Sequence, residues 1–350
     1  MTGLFQQPAR PAFRVRQAGP GDNAALLALD RQCVVPATTP VMFDRSPDFF
    51  ARSRPYAYWR TYVAEGPRGL IGAAAMALKP VLLRGRRIQA AYFYDLRVAP
   101  DFRRLGVAKA VGDAVRGHAR SLSPAVVYSL VMEGNIPSLT FVGSRGARPL
   151  RSGTLSMIPV ETVPAAAPEG ARRLEAPEIP GALSLVAAAH PEQDLFPFPD
   201  AASLHDRIER VGAIGFRGLY GWDAAGRLAG CFGLWDYSPV MRMQVLQATE
   251  EWTWAAGRDL HLVFLMPLGF RGPEDIAQAV RLAAARLHPG PLVGVAYVLV
   301  IPHDVEAPGY ATLDAFRPIR LGFTLFGLDL SGARIASLGT RPAFVDAADL

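Results

Sequence analysis

The order of apolar patterns over residues 13–160 recurs over residues 172–350, and a stretch without period, PVETVPAAAPEG (159–170), separates the two. A strand–helix order repeated at this length points to one unit copied and then diverged. A break rich in Pro and Ala is where a boundary between packed units falls. In the first copy, residues 13–17 alternate as a strand, and Asp22 stands as an N-cap ahead of Ala25, Leu26, Leu27 and Leu29. A helical stretch is expected at 47–58, then strands at 61–64, 70–83 and 88–98, the last stopped by Pro100. Residues 103–122 change to a helical stripe of Val107, Val111 and Val115, and a strand at 125–132, a short helix and a strand at 150–160 close the copy. The second copy reads as a strand at 172–174, helices at 181–189 and 200–211, and a hairpin turning at 222–227. A strand at 260–266, a helix at 273–287, a β-branched strand at 293–301, a helix at 310–316 and a strand at 322–330 follow. The expected organisation is a flexible arm (1–12), a first domain (13–160), a linker (161–171) and a second domain (172–350).

Half of the 350 residues are apolar, enough for a core in each half. The longest apolar run, near 293–301, is too short to cross a bilayer, and the N-terminal arm lacks the basic head and apolar stretch of a leader. A cytoplasmic protein without a membrane partner is expected, as a monomer or homodimer. The two cysteines, Cys33 and Cys231, lie one in each half with no Cys/His cluster near them, so no metal site and no disulfide framework are expected. The net charge of +6 comes almost wholly from arginine, since the only lysines are Lys79 and Lys109. Arginine suits phosphates through its rigid fork of donors. Here the arginines are scattered, which argues against a nucleic-acid partner.

The segment 95–108 (DLRVAPDFRRLGVA) carries the most chemistry. A strand ends at a proline, and an arginine-rich turn opens a helix with Gly106 and Ala108 at its start. The first amides of a helix have no partner within it and carry partial positive charge, which makes an anion site. Gly106 has no side chain and Ala108 only a methyl, so a diphosphate can reach the backbone. Arg103 and Arg104 add charged donors.

On these residues the chain resembles the GCN5-related N-acetyltransferase superfamily. Arg103-x-x-Gly106-x-Ala108 matches its phosphate loop, and Asp95-Leu-x-Val-x-Pro100 matches the approach strand. The resemblance implies an α/β (α+β) fold of two tandem domains, each a mixed, mostly antiparallel sheet flanked by helices. It implies acetyl-CoA as co-substrate and a small amine acceptor. Backbone of Leu96, Arg97 and Val98 would pair with pantetheine as an added strand. Amides of Arg104, Leu105, Gly106, Val107, Ala108 and Lys109 would hold the pyrophosphate, and Asn135 and Ser138 would border the pantetheine arm. The amine would attack the thioester directly, so a base must take its proton.

Asp95 and Glu133, each at a strand end, are the candidate bases. The tyrosine that relatives often place seven residues after the asparagine is Val142 here, so Tyr128, Ser129 or solvent would protonate the leaving thiolate. The loop 34–47, with Met42, Phe43, Asp44 and Arg45, is where the family builds its acceptor pocket. Phe196, Phe198, Trp252 and Trp254 could line it, and Asp44, Glu250 or Glu251 attract an amine.

In the second copy the phosphate loop falls on 270–275 (FRGPED), where Pro273 replaces the glycine and removes a donor, and Glu274 and Asp275 repel a diphosphate. That copy is expected to be silent. Two other functions fit less of the sequence: an acyl-CoA-binding module without catalysis, and an aminoacyl-tRNA-dependent transferase.

Overall fold

The computed structural model describes residues 12–33, 41–164, 171–246, 249–287, 294–328 and 339–350. Most of the arm, residues 165–170 of the linker and residues 34–40 of the acceptor loop lie outside these, as do residue 293 and residues 329–330 of two expected strands.

The first copy runs β1 (Arg14–Gln17), α1 (Asn23–Arg31), β2 (Val41–Asp44), β3 (Tyr58–Gly66), β4 (Gly69–Leu83), β5 (Arg86–Val98), α2 (Val107–Ser121), β6 (Val126–Met132), α3 (Ile136–Ser144) and β7 (Arg148–Pro159). The second runs β8 (Ala171–Arg173), α4 (Ile179–Ala189), α5 (Ala201–Gly212), β9 (Phe216–Ala224), β10 (Arg227–Asp236), β11 (Arg242–Val245), β12 (Asp259–Gly269), α6 (Pro273–Leu287), β13 (Val295–Asp304) and β14 (Ile319–Leu328). The helix expected at 47–58 is only a 3-10 turn, Phe49–Ser53. Pro47 and Pro55 bracket it, and neither can donate to a helical ladder.

All these strands join one sheet, ordered β1-β3-β4-β5-β6-β14-β7-β13-β12-β10-β9-β8. That order reads the same from both ends when each strand of one copy is exchanged for its counterpart in the other. At the centre the copies trade strands: β14 lies between β6 and β7, and β7 lies between β13 and β14. β2 and β11, one from each copy, pair over Val41–Asp44 and Arg242–Val245. The two copies therefore share main-chain hydrogen bonds as well as side-chain contacts.

In the first copy α2 covers one face of the sheet, packing Val107, Val111 and Val115 on Ala74, Met76 and Val127. The other face, with Ala75, Tyr92, Tyr94 and Tyr128, packs against residues of the second copy such as Met243, Trp252 and Phe264. Strand alternation sorts the two sets.

Candidate active site

β5 and β6 run parallel but pair only over Ala90–Tyr92 and Val126–Tyr128. Beyond Tyr92 they part. The cause is local: the register of β5 against β4 slips between Tyr94 and Arg97, and Asp95 sits in the left-handed region at φ 55°. That bulge bends the strand away from its neighbour.

A cavity of about 920 Å³ fills the gap. On the helix side Leu96, Asn135, Ser138, Gly112, Phe141 and Arg145 wall it. On the far side the walls are Tyr92, Tyr128, Met157, Met243, Trp252 and Phe264, so both copies build this chamber. Exposed groups stand at its rim, Glu133 from the end of β6 and Glu250 from the second copy.

The start of α2 is open. Its N-cap, Gly106, sits at φ 88° with no side chain capping the helix, and a Cβ there would meet nothing within 4 Å. The Ala110 amide makes the bond to the Gly106 carbonyl, so the amides of residues 107–109 have no acceptor in the helix. Arg103 and Arg104 flank them, exposed, with Arg104 also left-handed at φ 62°.

The second copy is closed at both places. β12 and β13 pair over six positions, Asp259–Phe264 with Val295–Val300. Where they part, His190, Tyr310, Phe344 and Val345 leave a void of only about 10 Å³. At the start of α6, Asp275 Oδ2 accepts the amides of Arg271 at 2.9 Å and Gly272 at 3.0 Å. The Glu274 carboxylate folds over Gly272. The helix start thus holds its own carboxylates where an anion would sit. Counted from the helix start, Gly272 rather than Pro273 stands opposite Gly106, which corrects the expectation that Pro273 replaces the glycine. The loss is of free amides, not of the glycine.

No described protein family matches the sequence, and no curated protein does. Solved structures do match. N-myristoyltransferase of Saccharomyces cerevisiae, with bound myristoyl-CoA and inhibitors, superposes with a TM-score of 0.63 at 9% identity, over 94% of this chain and 82% of that one. A GCN5-related N-acetyltransferase from Sphaerobacter thermophilus gives 0.55 at 16% identity, over 98% and 99%. Another, from Anabaena variabilis, gives 0.54 at 11% identity, over 90% and 72%.

The fold is that of the GCN5-related N-acetyltransferases. Within this fold, the residues named from the sequence sort into two groups. Leu96, Arg97, Asn135, Ser138, Tyr128, Asp95 and Glu133 border the cavity. Val98 and residues 103–109 are not among its walls; the latter form the open helix start on the surface. Asn135 Oδ1 accepts the Ser138 amide at 3.3 Å and caps α3, so its NH2 is what it can offer a ligand.

Asp95 cannot be the base. Its Oδ1 takes Arg52 at 2.5 Å and its Oδ2 takes Arg45 at 2.7 Å, and its side chain is 2% exposed. Burial alone would raise its pKa, but Arg45 and Arg52 outweigh it and hold the carboxyl far below the usual range. Arg45 in turn grips Asp30, which Arg97 also holds at 2.9 Å. This chain of ions ties α1, the segment after β2 and the 3-10 turn to the bulge.

Glu133 is no better placed. Its carboxylate lies against Gly322 of β14, on the α2/α3 side of the sheet by the alternation of both strands, so it borders the cavity from the helix side rather than from the wall that the second copy builds. Val142 lines the cavity with no hydroxyl to give. Of the acceptor-pocket residues, Phe43, Trp252 and Glu250 border the cavity; Asp44 is paired with Arg242, Arg45 is buried in the ion chain, and Phe196 and Phe198 line a separate hollow beside α4. The side chain of Glu251 lies outside the described residues.

Sequence reasoning missed Lys79, Asp346 and Asp349. Lys79, 3% exposed, bonds Asp346 at 3.0 Å and Asp349 at 2.6 Å, and Arg207 of α5 holds Asp346. Asp349 borders the chamber. A lone buried lysine in an otherwise apolar strand was the one available signal.

Proposed function

We propose that this protein transfers an acyl group from an acyl-CoA to the nitrogen of a small amine, with acetyl-CoA as the simplest donor. The observation that carries the reading is the parting of β5 and β6 after three pairs, which opens a two-sided cavity walled in part by Gly112, Val115 and Arg116 of α2, the helix whose start is open and flanked by arginines. Pyrophosphate would sit on the amides of residues 104–109. Pantetheine would run along the free edge of β5 at Leu96–Val98, past Asn135 and Ser138. The thioester would then lie where the strands part, between the tyrosines and the chamber. The amine enters from the rim of the second copy, where Glu250 suits its charged form in solution.

Residues 13–160 would thus hold the cofactor, and residues 172–350 would complete the chamber without binding a second one. The likeness to the N-acetyltransferases and to N-myristoyltransferase supports acyl transfer, and the size of the chamber leaves the length of the acyl group open. The reaction needs a neutral amine, direct attack on the carbonyl carbon, and loss of a proton on the chamber side.

Calorimetric titration with acetyl-CoA, together with thiol release across a panel of amines, tests this. Binding with acceptor-dependent release is expected. Binding without release from any amine would favour an acyl-CoA-binding module instead, a reading that Val142 in the tyrosine position supports.

A further inference from the structure

Acyl transfer as proposed leaves a proton without a destination, because Asp95 is neutralised by arginines and Glu133 faces the helix side. Tyr128 occupies the last paired position of β6 before the strands part, and it borders the chamber. Its hydroxyl donates to Asp349 Oδ2 at 2.6 Å. With its hydrogen committed there, the phenol oxygen has only lone pairs to offer a molecule in the cavity.

Asp349 is held from every side. Its Oδ2 also accepts Lys79 at 2.6 Å, its Oδ1 accepts Tyr56 at 2.9 Å, and its main-chain carbonyl accepts Arg52 and Tyr92. Lys79 is shared with Asp346, whose second cation is Arg207. Two cations thus face two carboxylates, so the four groups are neutral together and carry one positive charge when a proton sits on Asp349.

We propose that Tyr128 and Asp349 form a proton relay that serves the attacking amine, an inference that rests on the acyl-transfer reading. The nitrogen of a neutral amine bonds to the thioester carbon, and its hydrogen passes to the Tyr128 oxygen as the hydrogen of Tyr128 passes to Asp349 Oδ2. When the C–S bond breaks, the sulfur keeps the electron pair and takes a proton back through Tyr128. The amide and the free thiol leave, and Asp349 ends as it began. Tyr128 is the residue that meets the substrate; Asp349 acts through it.

The electrostatics fit these roles. Burial, reinforced by Asp346, pushes the Asp349 carboxyl above its ordinary range despite Lys79, which makes it a better proton acceptor than a free carboxylate. Burial and the neighbouring Asp349 push the Tyr128 phenol far up, so it conducts a proton without ionising first. Asp346 is buried too, yet Arg207 and Lys79 hold it well down and keep it charged.

The test compares the full-length protein with Asp349→Asn, Tyr128→Phe and the double variant. Acetyl-CoA binding is titrated for each, and thiol release is followed against pH with one amine throughout, so that the amine's own ionisation cancels. A positioned acid–base group contributes about 10²-fold or more. Each single variant should bind acetyl-CoA normally and lose about that factor in kcat/KM, and the double variant should lose no more. The wild-type rate should fall as pH drops through the Asp349 ionisation, and that fall should be missing from Asp349→Asn. Additive losses, or a wild-type rate and pH profile in either variant, would overturn the relay. Should Asp349→Asn fail to fold, Tyr128→Phe decides alone, since it removes only a hydroxyl. If the wild type binds acetyl-CoA and acetylates no amine, the acyl-transfer reading itself falls and takes the relay with it.

Discussion

Arg45 Nη1 meets Asp95 Oδ2 at 2.7 Å, and neither side chain has more than 2% of its surface in water. A pair so deep is held by its neighbours Asp30 and Arg52 as much as by its own attraction. Breaking one partner of a buried pair leaves an uncompensated charge, at a cost of about 3–5 kcal/mol. Asp95→Asn should therefore lower the unfolding free energy by about that amount in a denaturant titration. The folded-state pKa of Asp95 lies below its unfolded value of about 3.9. Its contribution is thus present at neutral pH and is lost only as the pH falls through the folded value, so the loss in the variant should be unchanged from pH 6 to 8 (about neutral). A variant as stable as the wild type would contradict the ion chain.

Gly106→Asp sets a carboxylate where the pyrophosphate would sit. No atom crowds a Cβ at that position, and although φ 88° strains any residue with a side chain, Asp is among those that enter the left-handed region most readily. Thermal unfolding should shift by only a few degrees while acyl-CoA binding weakens at least about 100-fold by calorimetry, a loss of about 2.7 kcal/mol. Undiminished binding would mean that the helix start is not the phosphate site.

In the second copy Asp275→Ala removes the carboxylate that caps α6. Losing such a cap costs about 1 kcal/mol of stability. Acyl-CoA should still bind with one molecule per chain, because the void between β12 and β13 stays filled by Phe344 and His190. A second bound molecule would show that the carboxylate alone kept that copy silent.

Met243 lies in the chamber wall, 1% exposed, on the short strand that joins the copies. Met243→Ala enlarges the chamber without touching the phosphate loop. Steady-state kinetics should give a KM for the amine raised several-fold, an unchanged Kd for acyl-CoA, and a stability loss of about 2–5 kcal/mol. An altered acyl-CoA affinity with an unchanged amine KM would put the acyl chain, not the acceptor, in the chamber.

Much of this was legible in the sequence, for local reasons. The stripe of Val107, Val111 and Val115 and the turn ending in Gly106 are contained within one helix and the loop before it, so period and glycine placement reveal them. The same holds for the repeated order of elements. β2 and β11 were not legible, because four residues carry no period and their pairing partners lie far along the chain, β11 for β2 and both β2 and β12 for β11. The role of Asp95 was not legible either, since the bulge that turns it toward Arg45 and Arg52 depends on partners 50 and 43 residues away.

By itself, then, the sequence determined most of the elements, their order and the glycine at the start of α2, all of which follow from interactions between residues close along the chain. Tertiary structure alone decided that the copies exchange β7 and β14, that a chamber forms between them, and that Asp349 reaches Tyr128 across 221 residues. Contacts of that span are chosen by which buried charges find partners when the two copies pack together, and no window along the chain contains both sides of such a choice.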